Sequence, residues 1–142
     1  MTRGRLARTA FLAILFSVPM PLVADDLTGS SKFLCTAVQA TRCTDDGDCV
    51  IQTPWNLNVP QFIEVDLKAG TLSTTKASGE DRSTPIKNSE RADGQLFLQG
   101  VQRGRAFSFV INEETGMASI AVAAEGIAVS VFGACTPMAE DK

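Results

Sequence analysis

The chain has 142 residues, of which 44% are hydrophobic and 20% are charged, and its formal net charge is −3. That length and composition are typical of one globular domain and exclude a collagen, a low-complexity disordered chain and a polytopic membrane protein. The chain contains no His, which excludes Ser-His-Asp and Cys-His nucleophile systems and imidazole-bound zinc, and removes the commonest acid–base group near neutral pH.

Residues 1–24 have the three-part pattern of a secretory signal peptide. Three arginines without an acidic neighbour precede an apolar stretch, residues 10–18, and the segment ends on the small residue Ala24. The apolar stretch is too short for a transmembrane helix, which needs about 20 such residues. We therefore expect an exported chain, periplasmic or extracellular, with a single β domain over residues 25–142 and no membrane span.

Loss of residues 1–24 would make the mature chain acidic. The charges removed are three arginines, so 13 − 3 = 10 basic groups remain against 16 acidic ones, a net charge of −6. Such a chain lacks the basic stripe that neutralises phosphates, so we do not expect it to bind nucleic acid. Attraction to anionic membrane surfaces is disfavoured for the same reason.

The four cysteines predict two disulfides, because they are an even set in a chain expected to be exported. Their spacings do not form the close pairs of a zinc site. Four cysteines allow three connectivities, but the segment CTDDGDC, residues 43–49, is rich in turn-forming residues that would bring its ends together. We therefore predict the pairs Cys43–Cys49 and Cys35–Cys135, the second joining the first strand to the last.

The same segment contains three acidic residues that raise the question of calcium, which prefers clustered carboxylate oxygens. Asp45, Asp46 and Asp48 surround Gly47 but do not follow the ligand order of an EF-hand loop. We interpret the segment as a solvated turn and expect no metal site and no cofactor.

A polar loop between two prolines, residues 53–61, contains the single Trp. Aromatic side chains on rigid loops often anchor a ligand or partner, so Trp55, Asn56 and Asn58 are the candidate binding residues. The alternative is that Trp55 plugs one end of the fold, because large aromatic side chains dominate burial in small domains.

Period-two alternation of apolar and polar residues predicts antiparallel strands along the rest of the chain, most clearly at residues 62–67 and 105–111. Residues 117–131 are rich in Ala, which favours helix, but interleaved Ile and Val and a central Gly126 favour two strands. Residues 65–73 and 111–119 resemble each other, each with Asp or Asn four positions before Gly. We interpret this as one hairpin turn used twice.

These patterns predict an all-β fold, a small antiparallel up-and-down barrel or barrel-like sandwich of about eight strands stapled by two disulfides. Such a barrel encloses either packed side chains or one small ligand. The sequence has no G-x-S-x-G, Walker or dinucleotide-binding motif, so we expect no enzymatic activity. We expect a binding module for an envelope protein or a small apolar ligand, or alternatively a structural or accessory cell-envelope protein without a discrete ligand site.

Overall fold

A computed structural model describes residues 26–139, so the predicted signal peptide lies outside the described residues. The described chain folds into ten strands: β1 (Lys32–Thr44), β2 (Cys49–Gln52), β3 (Phe62–Asp66), β4 (Thr71–Thr74), β5 (Ser83–Pro85), β6 (Asn88–Ala92), β7 (Gln95–Gln102), β8 (Arg105–Asn112), β9 (Met117–Ala124) and β10 (Ile127–Pro137). Its helical segments are two short 3-10 turns, Pro54–Leu57 and Lys76–Ser78. None of the helices in residues 26–139 is long and apolar enough to cross a membrane.

The strands form one antiparallel sheet in the order β5-β4-β3-β1-β10-β9-β8-β7-β6, and β2 pairs with β1 beside this path. The two ends of that order, β5 and β6, are separated in sequence only by Ile86 and Lys87. The backbone amide of Ile86 donates to the carbonyl of Gly70, and that of Lys87 donates to the carbonyl of Gln99, both at 2.8 Å. The chain therefore passes directly from one edge of the sheet to the other. This curls the sheet into a barrel-like shape and confirms the predicted all-β, barrel-like fold, with ten strands where about eight were expected.

The first and last long strands lie side by side, and both predicted disulfides are present. Strands β1 and β10 pair along their length, with Cys35 directly opposite Cys135, and these two residues form one bridge. Cys43 and Cys49 are register partners in the β1–β2 hairpin and form the other. The long bridge thus joins the first and last strands of the described residues.

The resemblance between residues 65–73 and 111–119 is a shared turn structure. In the β3–β4 turn the Asp66 carboxylate accepts a hydrogen bond from the backbone amide three residues later, at 2.8 Å. In the β8–β9 turn the Asn112 side chain does the same at 2.9 Å. Each turn then reaches a glycine with φ of 67°, Gly70 or Gly116, a left-handed conformation that glycine adopts readily. The prediction of one hairpin turn used twice is confirmed.

The Ala-rich stretch is two strands, as predicted. It forms β9 and the start of β10, which pair across a turn in which Gly126 has φ of 69°. Alternate side chains of β9, including Ala118 and Ile120, are buried while their neighbours are exposed. Period two therefore outweighs the helical preference of Ala here, because the buried face packs against the rest of the sheet.

The apolar core fills one end of the barrel, at which β1 and β10 carry their disulfide. We call it the closed end. Its largest fully buried side chains are contributed by β1, β3, β7 and β8 and by the segment before β1: Leu27, Phe33, Val65, Leu96, Leu98 and Ile111. Leu27 is only 1% exposed although it lies outside any strand, and its backbone amide donates to the carbonyl of Glu113 at 2.7 Å. Leu27 therefore seals this end.

An ion pair between Arg91 and Glu113 lies at the closed end of the barrel. The Nε atom of Arg91 lies 3.0 Å from Oε1 of Glu113, and the Arg91 guanidinium also donates to the carbonyl of Ser30 at 2.6 Å. Oε1 of the buried Glu113 has no hydrogen-bond partner among the described residues, so the contact is an ion pair without hydrogen-bond alignment. Arg91 thus connects β6 to the β8–β9 turn through the ion pair, and to the segment that carries Leu27 through the hydrogen bond to Ser30.

Candidate functional site

The opposite end of the barrel contains a cavity of about 710 Å³. We call this the open end; β1, β7 and β9 finish there, and β8 and β10 begin there. Large apolar side chains that line the cavity come from five strands and from the loop after β2: Leu57, Val59, Ile63, Leu72, Phe107, Phe109, Ile120, Val122, Ile127, Val129 and Val131. Apolar residues therefore supply about half of the lining, and the other half is polar or charged, including Ser73, Thr74, Ser83, Thr84 and Gln102.

Side-chain size and strand pairing explain why space remains at this end. Near the open end the inward positions of β9 and β10 are Val122, Ala124 and Val129, which are only partly buried. Along the same edge of β1, residues 32–36 pair with β3 but residues 40–43 pair with the short β2. The wall between β1 and β4 at this level is completed by a loop, residues 53–61, whose Leu57 and Val59 face the cavity.

The absence of a side chain at Gly100 leaves room for the ring of Phe107 in the cavity wall. A Cβ atom added at Gly100 would lie 2.6 Å from Cε1 of Phe107 and 2.8 Å from the backbone oxygen of Pro85, closer than real Cβ contacts. Phe107 in turn packs edge-to-face against Phe109, with ring centroids 5.9 Å apart, a favourable aromatic geometry. The glycine therefore shapes the aromatic side of the site.

The rim of the cavity is basic. Four arginines line it, Arg42, Arg82, Arg103 and Arg105, against a single acidic residue, Asp81. Arg103 has φ of 50° and the next residue, a glycine, has φ of 74°, the conformation of a two-residue hairpin turn that matches strand twist. This tight β7–β8 turn holds Arg103 at its tip and Arg105 at the start of β8.

Arg82 ties together the two loops that flank the opening. Its guanidinium donates to the backbone oxygen of Asn58 at 3.1 Å and to the Asn58 side chain at 2.7 Å. It also forms an ion pair with Glu80, with 3.2 Å between Nε and Oε2. The loop after β2 is thus fixed to the loop before β5.

The structure places the three predicted binding residues on the first of these loops. Asn58 lines the cavity rim, Asn56 is exposed, and Trp55 is 68% exposed. The interpretation of Trp55 as a plug is therefore wrong, because a side chain that plugged one end of the barrel would be buried. That all three residues contact a ligand or partner stays a prediction.

Sequence reasoning did not find the basic rim. Arg103 and Arg105 lie on either side of Gly104, and that spacing is the only local signal. Arg42 lies 61 residues before Arg103, and only the pairing of β1, β10, β9 and β8 brings it to the same opening. A charge cluster assembled by strand pairing leaves no continuous pattern in the sequence.

The acidic segment between Cys43 and Cys49 is a hydrogen-bonded turn on the surface. The Asp46 carboxylate accepts hydrogen bonds from the hydroxyl of Thr44 and, at 3.3 Å, from the backbone amide of Asp48. The bond from Thr44, followed by the backbone bond, lowers the pKa of Asp46 below its usual value of 3.8. Within residues 26–139 no group of three or more His, Cys, Asp or Glu side chains is placed to hold a metal ion.

Comparison of the chain with protein families, with curated proteins and with solved structures found no match. The function therefore has to be argued from the chemistry of the cavity and its rim.

Proposed function

We propose that the mature chain is an exported, non-catalytic binding module that takes a small apolar ligand into the cavity at the open end of its barrel. One observation carries the proposal: a cavity of about 710 Å³ in which Ile, Leu, Val and Phe side chains from five strands and one loop share the wall with polar and charged residues. Ligand sites in proteins have volumes of about 300–1,000 Å³ and are lined mainly by apolar and aromatic residues, with a few polar groups at fixed positions. Removal of an apolar ligand from water would drive its binding.

Export is supported by the covalent structure. Two intramolecular disulfides with no free cysteine among the described residues are typical of a chain that folds in an oxidising compartment. A non-catalytic role is supported by the composition, since without His the remaining acid–base groups are mainly carboxylates. Glu64 and Asp66 lie on the same outward face of β3. The paired carboxylates of a glycoside hydrolase instead face each other across a cleft.

The test uses the uncharged fluorescent probe N-phenyl-1-naphthylamine, whose emission rises in apolar surroundings, with the purified oxidised chain. The double variant Val122→Phe/Val129→Phe fills the cavity, because these residues are register partners that both line it. The matched control Ala123→Phe/Ala128→Phe adds the same rings to the adjacent register pair on the exposed face. We expect probe binding by the native chain and the control, and at least about tenfold weaker binding by the cavity variant. Equal binding by both variants, or none by the native chain, would contradict the proposal.

A second candidate function is binding of an envelope protein through the loop after β2. The observation that favours it is the 68% exposure of Trp55, since exposed Trp side chains are frequent energetic centres of interfaces. Capture of a single stoichiometric partner from a periplasmic extract by the native chain, but not by Trp55→Ala, would support this function. If neither the probe nor a partner binds, the structural or accessory role becomes the better account.

A further inference from the structure

We propose that the ligand is a single-chain anionic amphiphile, with its acyl chain inside the cavity and its anionic head group at the arginines of the rim. This inference rests on the proposed function and adds the charge and orientation of the ligand.

Positive charge is concentrated at the opening of an otherwise acidic chain. Of the arginines in residues 26–139, Arg91 is the only one that does not line the cavity, and no lysine of that range lines it. The rim therefore carries four positive charges and one negative, whereas the whole chain has a net charge of −3. A concave site lined by one sign of charge focuses its field and attracts ligands of the opposite sign.

Three of the rim arginines have guanidinium N–H donors that are available to bind a ligand. Within the described residues the guanidinium groups of Arg42, Arg103 and Arg105 form no hydrogen bond or ion pair with another side chain or carbonyl, whereas Arg82 is engaged with Asn58 and Glu80. A guanidinium presents donors in a planar fork that matches a carboxylate, sulfate or phosphate group. The rim thus offers three unengaged groups suited to one anionic head.

The order of residues along β8 sets the orientation of such a ligand. Arg105, Phe107 and Phe109 occupy successive inward positions and all line the cavity. With a rise of about 3.4 Å per residue, the two rings lie roughly 7 and 14 Å below Arg105 along the strand. A ligand that fits this gradient has its charge at the opening and its hydrocarbon below. A membrane surface or a nucleic acid could not enter, so the acidity of the whole chain does not count against this ligand.

The test is calorimetric titration of the purified oxidised chain, at ligand concentrations below micelle formation. Octanoate and decanoate differ in chain length and carry the same charge. Decyl sulfate keeps the decyl chain and the negative charge but replaces the carboxylate by a sulfate. 1-Decanol and decyltrimethylammonium keep the decyl chain and carry an uncharged and a cationic head group, respectively. The double variant Arg103→Gln/Arg105→Gln removes two rim charges. Its control, Lys68→Gln/Lys87→Gln, removes two charges from exposed residues that do not line the cavity.

We expect decanoate to bind about 16-fold more tightly than octanoate, because each buried methylene contributes about a fourfold factor. Decanoate and decyl sulfate should bind more tightly than the other two decyl compounds. The rim variant should weaken binding of both anions about tenfold and leave 1-decanol unchanged, while the lysine control changes neither. Raised salt should weaken only the anions.

Two outcomes overturn the inference in distinguishable ways. If 1-decanol or decyltrimethylammonium binds as tightly as decanoate, or the rim variant binds anions like the native chain, the anionic head is refuted while the apolar site stands. If none of the decyl compounds binds, the proposed function fails together with this inference.

Discussion

The two disulfides close loops of very different length, which makes their relative contribution to stability calculable. The Cys35–Cys135 bridge spans 100 residues of sequence and the Cys43–Cys49 bridge spans six. In the chain-entropy description, removing loop-closure entropy from the unfolded chain stabilises the fold by about 4.7 kcal/mol for the long loop and about 2.2 kcal/mol for the short one. The perturbation is replacement of each pair by alanines, which leaves no unpaired thiol.

Burial increases the difference between the two variants. Cys35 and Cys135 are 2% and 4% exposed, so Cys35→Ala/Cys135→Ala also removes packing atoms from the core. Cys43 is half-buried and Cys49 is exposed, so their replacement adds little. For a domain of this size about 1 kcal/mol corresponds to roughly 4 °C in Tm. The long bridge should therefore account for roughly 20 °C or more, and the short bridge for roughly 9 °C.

Urea denaturation followed by circular dichroism measures both effects, since the midpoint reports stability and the slope reports the surface exposed on unfolding. We expect a larger loss for the Cys35–Cys135 variant, together with a steeper slope, because its unfolded chain is released from the larger constraint. A loss for Cys43→Ala/Cys49→Ala that equals or exceeds it would refute the reasoning.

Three further predictions test the closed end, the cavity wall and the acidic turn. Leu27→Ala should lower the free energy of unfolding by about 2–5 kcal/mol in urea denaturation, because it leaves a cavity at a sealed position; a change below about 0.5 kcal/mol would show that the end is not sealed by this side chain. Gly100→Ala should destabilise the fold by about 1–3 kcal/mol, because its Cβ overlaps the Phe107 ring, and an unchanged midpoint would contradict that overlap. The pKa of Asp46 is lowered in the fold by its bond from Thr44, so its contribution is present above pH 3.8 and is lost as the pH falls through the lowered value. Asp46→Ala should therefore lower Tm at pH 7 but not at a pH below that value, and an equal difference at both pH values would be evidence against the linkage.

Local patterns were sufficient to predict several of the strands and turns, although not the short strands β2, β5 and β6. The alternation at residues 62–67 and 105–111 identifies β3 and β8, because one face of each strand packs on the core. The Asx–Gly spacing of the β3–β4 and β8–β9 turns identifies two hairpins, because the side-chain hydrogen bond and the positive φ are determined within five residues. The pairing of Cys43 with Cys49 follows from the same kind of local turn.

The site could not be predicted in the same way, because its geometry depends on which strands are neighbours. The sequence offered two interpretations of Trp55, a plug or an exposed anchor, and the choice depends on what fills the ends of the barrel. Leu27, outside every strand, seals one end, and no periodicity marks it. The loop that completes the cavity wall lies between β2 and β3, which share one edge of β1, a feature that becomes visible only in the assembled sheet.

Net charge illustrates the same limit and explains why an acidic chain can present a basic opening. The sequence-based expectation that anionic surfaces are disfavoured concerns the whole chain, which acts as its net charge at distances beyond the screening length of about 8–10 Å. At shorter distances the nearby charges determine whether a ligand is attracted or repelled, and Arg42, Arg103 and Arg105 all line the same opening. The acidic remainder would repel large polyanions from the surface, while the rim would attract a single anionic group that enters the cavity. We therefore expect this charge distribution to disfavour a nucleic acid and to favour a small anionic ligand.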